Sequence, residues 1–322
     1  MSELVLRQFE DLRQPWNDLY QKSKTNLLFS SPHWAELWWR HFGTGNELRL
    51  GSVEENGNVI GIAPMRLKEG TLYFIGSDNV CDFLDFIIQP GKEDSFFNTL
   101  LQHWTSNRQG VVELSPLLPA SNAYSRLAVL AQDHGLQVTC TQEDVTVSLD
   151  LPADLPSYLS ILSTKQRHEL LRKERRLNEE GEITYRISNK AAANDLDTFL
   201  HFFRESRDDK SRFLTGTMEA FFRAMIQNAA DNNMLWLGIL ELNSSPVAAT
   251  ICLDYQDATY LYNSGYNPDY RWLSVGLLSK YFSIKSSMEN GKRRYDFLKG
   301  AEKYKFHLGG KETQLFRCII NF

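Results

Sequence analysis

Cysteine is scarce in this chain: four residues in 322, at positions 81, 140, 252 and 318. They are widely scattered, and no CxxC or Cys/His spacing appears. A zinc site and a disulfide framework are therefore not expected, and the four are read as free thiols in a reducing cytosol. Long apolar runs are also missing. Nothing approaches the roughly 18 consecutive apolar residues of a membrane span, which excludes an integral membrane segment of helical type. The opening stretch MSELVLRQFEDLRQPW carries charge throughout and lacks the apolar core of a secretory signal. A cytoplasmic location is expected. Excess positive charge is absent too, since the formal net charge is -5. That argues against a DNA-binding protein and leaves room only for a local basic patch.

What the chain does have is an ordinary globular composition, 42% hydrophobic and 23% charged, with 7 Trp, 13 Tyr and 19 Phe. Its length suits two domains with sizeable cores. Two segments resemble each other without a gap. Glu47 to Ser77 aligns with Met234 to Ser264 at a displacement of 187 residues, so that Leu50 meets Leu237, Gly51 meets Gly238, Glu54 meets Glu241 and Tyr73 meets Tyr260. Each segment alternates apolar and polar residues between turn-forming clusters: Asn56-Gly57 and Glu69-Gly70 in the first, Asn243-Ser244 and Gln256-Asp257 in the second. That pattern predicts a three-stranded antiparallel meander twice over.

The flanks repeat as well. Amphipathic helices are expected over 32–42 and 218–230 before the meanders. After them come helices over 92–106 and 274–290, then short strands at 111–114 and 294–297. Residues 155–181 read as one or two linking helices, with Asp154 as N-cap, Pro156 in the first turn and Gly181 as the stop. The expected fold is α+β, two tandem repeats, each a mixed, mainly antiparallel sheet flanked by helices. The expected division is 1–150 and 151–322.

Only the second copy follows its meander with Gly265-Tyr266-Asn267-Pro268-Asp269-Tyr270-Arg271-Trp272-Leu273-Ser274-Val275-Gly276 and then a helix. A helix N-terminus offers unpaired amides and partial positive charge, and small residues let a diphosphate approach the backbone. Arg271, Ser274, Val275 and Gly276 are thus candidates for holding a phosphorylated cosubstrate, although Ser-x-Gly is also an ordinary helix start. The same positions of the first copy, Leu84 to Gln89, carry no such loop.

Arg271-x-x-Ser274-x-Gly276 resembles the coenzyme A loop of the GNAT acyltransferases. Further marks are similar to the GNAT-like acetyltransferases of the CelD type and to the tandem-GNAT Fem-type aminoacyltransferases. They are Phe29-Ser30-Ser31-Pro32-x-Trp34, Gly76-Ser77-Asp78 with Asp82 and Asp85-Phe86, the basic stretch Ser163 to Leu177, and Asp296-Phe297-x-x-Gly300-x-Glu302-x-Tyr304-Lys305. The resemblance covers nearly the whole chain. It departs where His307 and Leu308 replace a frequent Trp. It implies two GNAT-like repeats, with the donor, acetyl-CoA or another acyl-CoA, held in the second repeat only. It also implies acyl transfer, from a thioester or an aminoacyl-tRNA, to an amine or hydroxyl, and leaves the acceptor open among a small molecule, glycan or peptide; no metal is expected, since no ligand spacing appears.

Direct acyl transfer needs a base for the acceptor and a group for the developing oxyanion. No Ser-His-Asp or Cys-His set is visible. Asp296 or Glu302 is the candidate base, Lys305 the oxyanion or phosphate group, and Tyr262 the acceptor contact or leaving-group acid. The plain readings are a cap for Asp296, an ion pair for Glu302 with Lys305, and a core aromatic for Tyr262. Trp34, Asp82, Asp85, Arg167, Tyr266 and Tyr304 are candidate substrate contacts, with Asp78, Asp82 and Asp85 either an acidic cleft wall or a solvated loop.

The helix from Lys165 to Arg176 sets six cations against Glu169 and Glu174. It is either a surface for phosphate, acidic glycan, membrane or tRNA, or a solvated face. His201, Arg204, Arg207 and Lys210 form a second basic face. An aminoacyl-tRNA-dependent transferase is the runner-up reading, and a non-catalytic accessory protein of polysaccharide synthesis the third.

Overall fold

The computed structural model describes residues 2–23, 27–77, 79–206 and 208–322. Asp78 and Arg207, named above, lie outside them. Contacts divide the chain into two compact units, 1–145 with 313–322, and 146–312. The sequence division at 150 kept residues 313–322 with the second half; by contacts they sort with the first unit.

The first unit runs β1 (Ser2–Leu6), α1 (Phe9–Lys22), α2 (Pro32–Phe42), β2 (Glu47–Glu55), β3 (Asn58–Lys68), β4 (Thr71–Phe74), β5 (Ile87–Ile88), α3 (Glu93–Ser106), β6 (Val111–Leu117), α4 (Ala128–Asp133) and most of β7 (Gln137–Asp150). The second runs α5 (Leu155–Ile161), α6 (Thr164–Glu179), β8 (Ile183–Ser188), α7 (Ala193–Ser206), α8 (Asp208–Phe213), α9 (Gly216–Asp231), β9 (Leu235–Leu242), β10 (Ser245–Tyr255), β11 (Ala258–Tyr266), α10 (Val275–Glu289), β12 (Arg294–Lys299) and α11 (Lys303–His307). The chain re-enters the first unit along β13 (Lys311–Asn321).

The repeat read from sequence extends to individual hydrogen-bonded registers. Glu55 pairs with Asn58 in one unit and Leu242 with Ser245 in the other. Both hairpins slip register at the same place, between Val53 and Glu54 and between Pro246 and Ala248. Lys68 pairs with Thr71, and Tyr255 with Ala258. The turns obey the same rule. Asn56 and Gly57, and Asn243 and Ser244, all have positive φ, as a two-residue type I′ hairpin requires. In each unit the third meander strand then pairs in parallel with a later strand, β4 with β6 and β11 with β12.

One difference separates the copies. In the second unit β11 runs on, so that Tyr266 and Gly265 pair with Ala248 and Ala249. In the first unit β4 stops at Phe74, and β5 takes over, with Ile88 and Ile87 pairing Gly61 and Ile62. The intervening loop turns back onto the aromatic core of that unit, where Phe29 meets Phe83 edge to face at 5.2 Å.

Burial explains the packing. Phe29, Phe86, Phe96 and Phe97 are fully buried in the first unit, and Phe199, Phe203, Phe221 and Phe222 in the second. Full burial of such a side chain is worth about 1.5–3 kcal/mol. The linker forms two helices as expected. Asp154 accepts from the Ser157 amide at 2.8 Å, and α6 opens on a capping box between Ser163 and Gln166.

The free-thiol expectation fails for one pair. Cys140 and Cys318, 178 residues apart, are disulfide-bonded, while Cys81 and Cys252 are free and buried. The two partners are far apart in sequence but lie on β7 and β13, and pairing depends on that proximity, which no cysteine spacing encodes.

Candidate functional site

The second unit opens its own sheet. β11 and β12 pair in parallel from Ala258 with Arg294 to Tyr260 with Asp296, and pair no further. Beyond that point β11 stays with β10 as far as Tyr266. β12 follows β7 through an irregularity between Asp296 and Leu298, where Leu298 takes a positive φ.

The chain leaving β11 passes through a tight turn at Pro268–Leu273 and reaches Ser274, whose φ of 60° and ψ of 31° are left-handed. A left-handed serine costs about 1–2 kcal/mol relative to ordinary backbone. Its hydroxyl makes no capping bond, so the residue is not the ordinary helix cap that its type suggests. Its carbonyl instead takes the Leu277 and Leu278 amides at 2.9 and 3.0 Å. The Val275 and Gly276 amides, the first two of α10, have no partner among the described residues. Gly276 lies against the Tyr266 ring, so that a Cβ there would sit 2.8 Å from Cδ1. Arg271 is exposed on the same turn. Trp272 is also exposed; its ring meets the Arg176 guanidinium at 5.8 Å, and its carbonyl accepts from Arg176. A small residue, Gly276, unpartnered amides and cations therefore coincide at the first turn of α10, where Val275 itself is fully buried; such a set suits an anionic group.

Asp296 is fully buried. It receives the Arg294 guanidinium at 2.8 Å and the Leu298 amide at 2.9 Å. Burial pushes its carboxyl above the usual carboxylate range, against the pull of Arg294. Lys305 is 1% exposed, and its ammonium donates to the carbonyls of Leu298 at 2.9 Å, Lys299 at 2.6 Å and Gly300 at 3.0 Å. Glu302, exposed, pairs with it at 2.9 Å. The plain reading of an ion pair is thus what the geometry holds for Glu302 and Lys305. The lysine braces the turn after β12 with three hydrogen bonds, which leaves it poorly placed to meet an oxyanion. Tyr262 is half-buried against Phe222 of α9, with ring centroids 5.8 Å apart. Tyr304 is half-buried, its ring 6.3 Å from that of Phe297.

Sequence reasoning missed Lys280. It is 7% exposed on α10, donates to the Gly276 carbonyl at 2.6 Å and lies 4.8 Å above the Tyr304 ring. Burial, reinforced by the nearby Lys210 ammonium, pushes its ionisation down to about 7. The available signal was a lone lysine in VGLLSKYFSI, a stretch with no polar face to receive it.

On the flank of α10, a cavity of about 660 Å³ is lined by Ser163, Lys165, Gln166, His168, Glu169, Leu170, Arg172 and Lys173 of the α6 region, with Leu277, His307 and Leu308. Arg167, half-buried, does not line it. Glu169 is held well below the usual carboxylate range, at about 2, by Arg172 and Lys173, so part of the basic face is neutralised internally.

Two first-unit candidates are corrected. Trp34 is 6% exposed, donates to the Cys81 sulfur at 3.2 Å and packs edge-on against Phe29. Asp85 is fully buried and accepts the Asn122 and Ala123 amides at 2.8 and 3.0 Å. Both side chains are buried in the core of that unit. Asp82 is half-buried in the same loop.

Comparison with known proteins agrees with this topology. Residues 164–306 match the family model of the acetyltransferase (GNAT) domain. No curated protein sequence matches the chain. Among solved structures, FemX is similar over 98% of this chain and 96% of its own, at 13% identity and a TM-score of 0.67. L-PGS from Bacillus licheniformis is similar over 95% and 90%, at 11% identity and a TM-score of 0.57. A tandem GNAT protein from the clavulanic acid biosynthesis pathway is similar over 99% and 98%, at 11% identity and a TM-score of 0.54. At such identities the likeness is one of fold. The chain has a tandem GNAT-like α+β fold, and its second unit carries a GNAT-family acyltransferase-like domain.

Proposed function

We propose that this protein is an acyltransferase that binds acyl-CoA, acetyl-CoA foremost, in its second unit and transfers the acyl group directly to an amine or hydroxyl. The observation that carries the reading is the pair of unpartnered amides at Val275 and Gly276, at the start of the helix that follows β11. These two groups, with Ser274 turning the chain and Arg271 beside them, would take the diphosphate. The donor supplies an activated carbonyl. The protein's part is to orient it where β11 and β12 separate and to accept the acceptor's proton. Tyr266, packed on Gly276, and Tyr304, under Lys280, are the side chains best placed to line the acyl arm. Tyr262, packed on Phe222, is a weaker candidate for the acceptor.

Among the described residues no group of His, Cys, Asp or Glu is arranged to hold a metal ion, and the reading needs none. No described helix is long and apolar enough to cross a membrane. A small-molecule, glycan or peptide acceptor fits, and resemblance to the CelD type favours polysaccharide or cell-envelope synthesis in the cytoplasm.

Thermal unfolding with and without free coenzyme A tests this. A ligand present at 100 times its dissociation constant stabilises the native state by about 2.7 kcal/mol. A rise in Tm that Gly276→Ala clearly reduces supports the reading. An unmoved Tm in the wild type sinks the donor assignment and favours an accessory, non-catalytic role.

A second reading has an observation of its own. The cavity beside α10 is lined by Lys165, His168, Arg172, Lys173 and His307, groups that suit a nucleic-acid phosphate and hence an aminoacyl-tRNA donor. Binding of tRNA that weakens steeply with salt, without response to coenzyme A, would favour it.

A further inference from the structure

We propose that the cavity on the flank of α10 receives the ribose 3′-phosphate of the donor's nucleotide, and that α6 supplies the cations that hold it. The proposal rests on the acyl-CoA reading above and gives the same cosubstrate a second anchoring point.

α6 is tied to the donor loop at one end and to α11 at the other. Toward its C-terminus, Arg176 donates to the carbonyl of Trp272, in the turn that leads into α10. In its first turn, Gln166 donates to the carbonyl of Phe306 at 3.1 Å. The cavity follows α6 from Ser163 to Lys173 and reaches Leu277, the residue after Gly276. It therefore begins beside the two amides that would take the diphosphate. Arg172 and Lys173 precede Arg176 by about one helical turn, roughly 5.4 Å along the axis. A ribose 3′-phosphate stands one sugar away from the diphosphate, a comparable span.

The charge of the lining suits that group. Lys165, Arg172 and Lys173 stand with His168 and His307 against the single carboxylate of Glu169. Arg172 and Lys173 pair with Glu169. The side chains of Lys165, His168 and His307 make no hydrogen bond or ion pair among the described residues. A phosphomonoester carries a charge of about −1.5 to −2 near neutrality and three acceptor oxygens. It can engage the uncommitted groups and compete with Glu169 for Arg172 and Lys173. Leu170, Leu277 and Leu308 add the apolar wall that a nucleotide base needs.

Size and charge favour the donor over a tRNA. The cavity, about 660 Å³, falls within the roughly 300–1,000 Å³ of a small-molecule site. A nucleic-acid backbone offers diesters of single charge and calls for an extended basic surface, on a chain whose net charge is -5.

Calorimetric titration of the full-length protein with coenzyme A and with 3′-dephospho-coenzyme A tests this. The two ligands share the diphosphate and differ only in the phosphomonoester. The wild type should bind coenzyme A about tenfold or more tightly, corresponding to about 1.4 kcal/mol. Lys165→Met combined with Arg172→Met, both at exposed positions, should bring coenzyme A down to the affinity of the dephospho form without moving the latter. Equal binding of the two ligands by the wild type overturns the proposal and leaves the donor reading standing. A preference that survives the double substitution also overturns it, because the phosphate is then read elsewhere. Binding of neither ligand defeats the donor reading and this proposal together. Salt-sensitive binding of tRNA that the double substitution abolishes would in that case give the cavity to the second reading.

Discussion

The Tyr266 ring lies so close to Gly276 that a single added methyl would sit 2.8 Å from its Cδ1. The contact makes the first turn of α10 sensitive to the smallest possible substitution. Gly276→Ala must displace the ring, at about 1–3 kcal/mol of packing strain. The expected outcome is a modest fall in Tm together with a loss of coenzyme A affinity of about tenfold or more, the latter corresponding to about 1.4 kcal/mol. Calorimetric titration separates the two effects.

Gly265 is less forgiving. A Cβ there would meet the backbone of Phe202 and Phe203 at 2.4–2.8 Å, and α7 cannot withdraw as a side chain can. Gly265→Ala should destabilise the second unit by about 3 kcal/mol or more, read as a lower denaturation midpoint.

Lys280 predicts a pH-dependent stability with a defined sign. In the native state its ionisation lies near 7, against an ordinary value of 10.5. Between those values the unfolded chain binds more protons than the native one, so this group makes stability rise with pH across the window. Below about 7 both states are protonated and the full cost of the buried charge remains, each pH unit of displacement corresponding to about 1.4 kcal/mol. Lys280→Met removes that dependence. Its Tm advantage over the wild type should be largest near pH 7 and shrink toward pH 10, as differential scanning calorimetry would show. A constant difference would contradict the buried, depressed amine.

Lys305 predicts a loss of both fold and function. Its replacement by Met leaves the carbonyls of Leu298, Lys299 and Gly300 without their ammonium partner, and each buried unsatisfied acceptor costs about 1–3 kcal/mol. Turnover and Tm should fall together. A variant with full thermal stability and no turnover would restore a direct chemical role to this lysine.

The disulfide predicts a thiol count. Unfolding under alkylation without reductant should modify Cys81 and Cys252 alone, and all four cysteines after reduction. Loop closure over 178 residues sets a ceiling of about 5 kcal/mol on its contribution in the chain-entropy model. Cys140→Ser should lower Tm by a smaller amount.

The parts of this molecule that sequence reveals are those set by neighbours along the chain. Alternation and turn residues located both meanders, with their ends misplaced by two to three residues at Phe74 and Tyr266, because Asn56-Gly57 and Asn243-Ser244 impose hairpin geometry on whatever flanks them. The linker was legible as one or two helices, with Asp154 as the cap of the first, whereas the Ser163 cap of the second was not read. The parts that stayed hidden depend on distant partners. Asp85 looked like a cleft wall until Asn122 and Ala123 supplied the amides that bury it. Trp34 looked like a substrate contact until Phe29 and Cys81 enclosed it. Lys280 carries no motif at all; its character comes from the surfaces of α8, β10 and α11 closing over it. The pairing of Cys140 with Cys318 is likewise a property of the folded strands.

The return of the chain along β13 has a consequence for biosynthesis. β6 takes β13 as its antiparallel neighbour, with Val111 against Asn321 and Leu117 against Phe316. The first unit to leave the ribosome therefore waits, with this flank of its sheet unfilled, until residues 313–322 follow some 167 others out of the exit tunnel. During that interval Val112 and Leu114, fully buried in the finished protein, stand on an unpaired edge, where a chaperone or a neighbouring nascent chain would find its easiest hold.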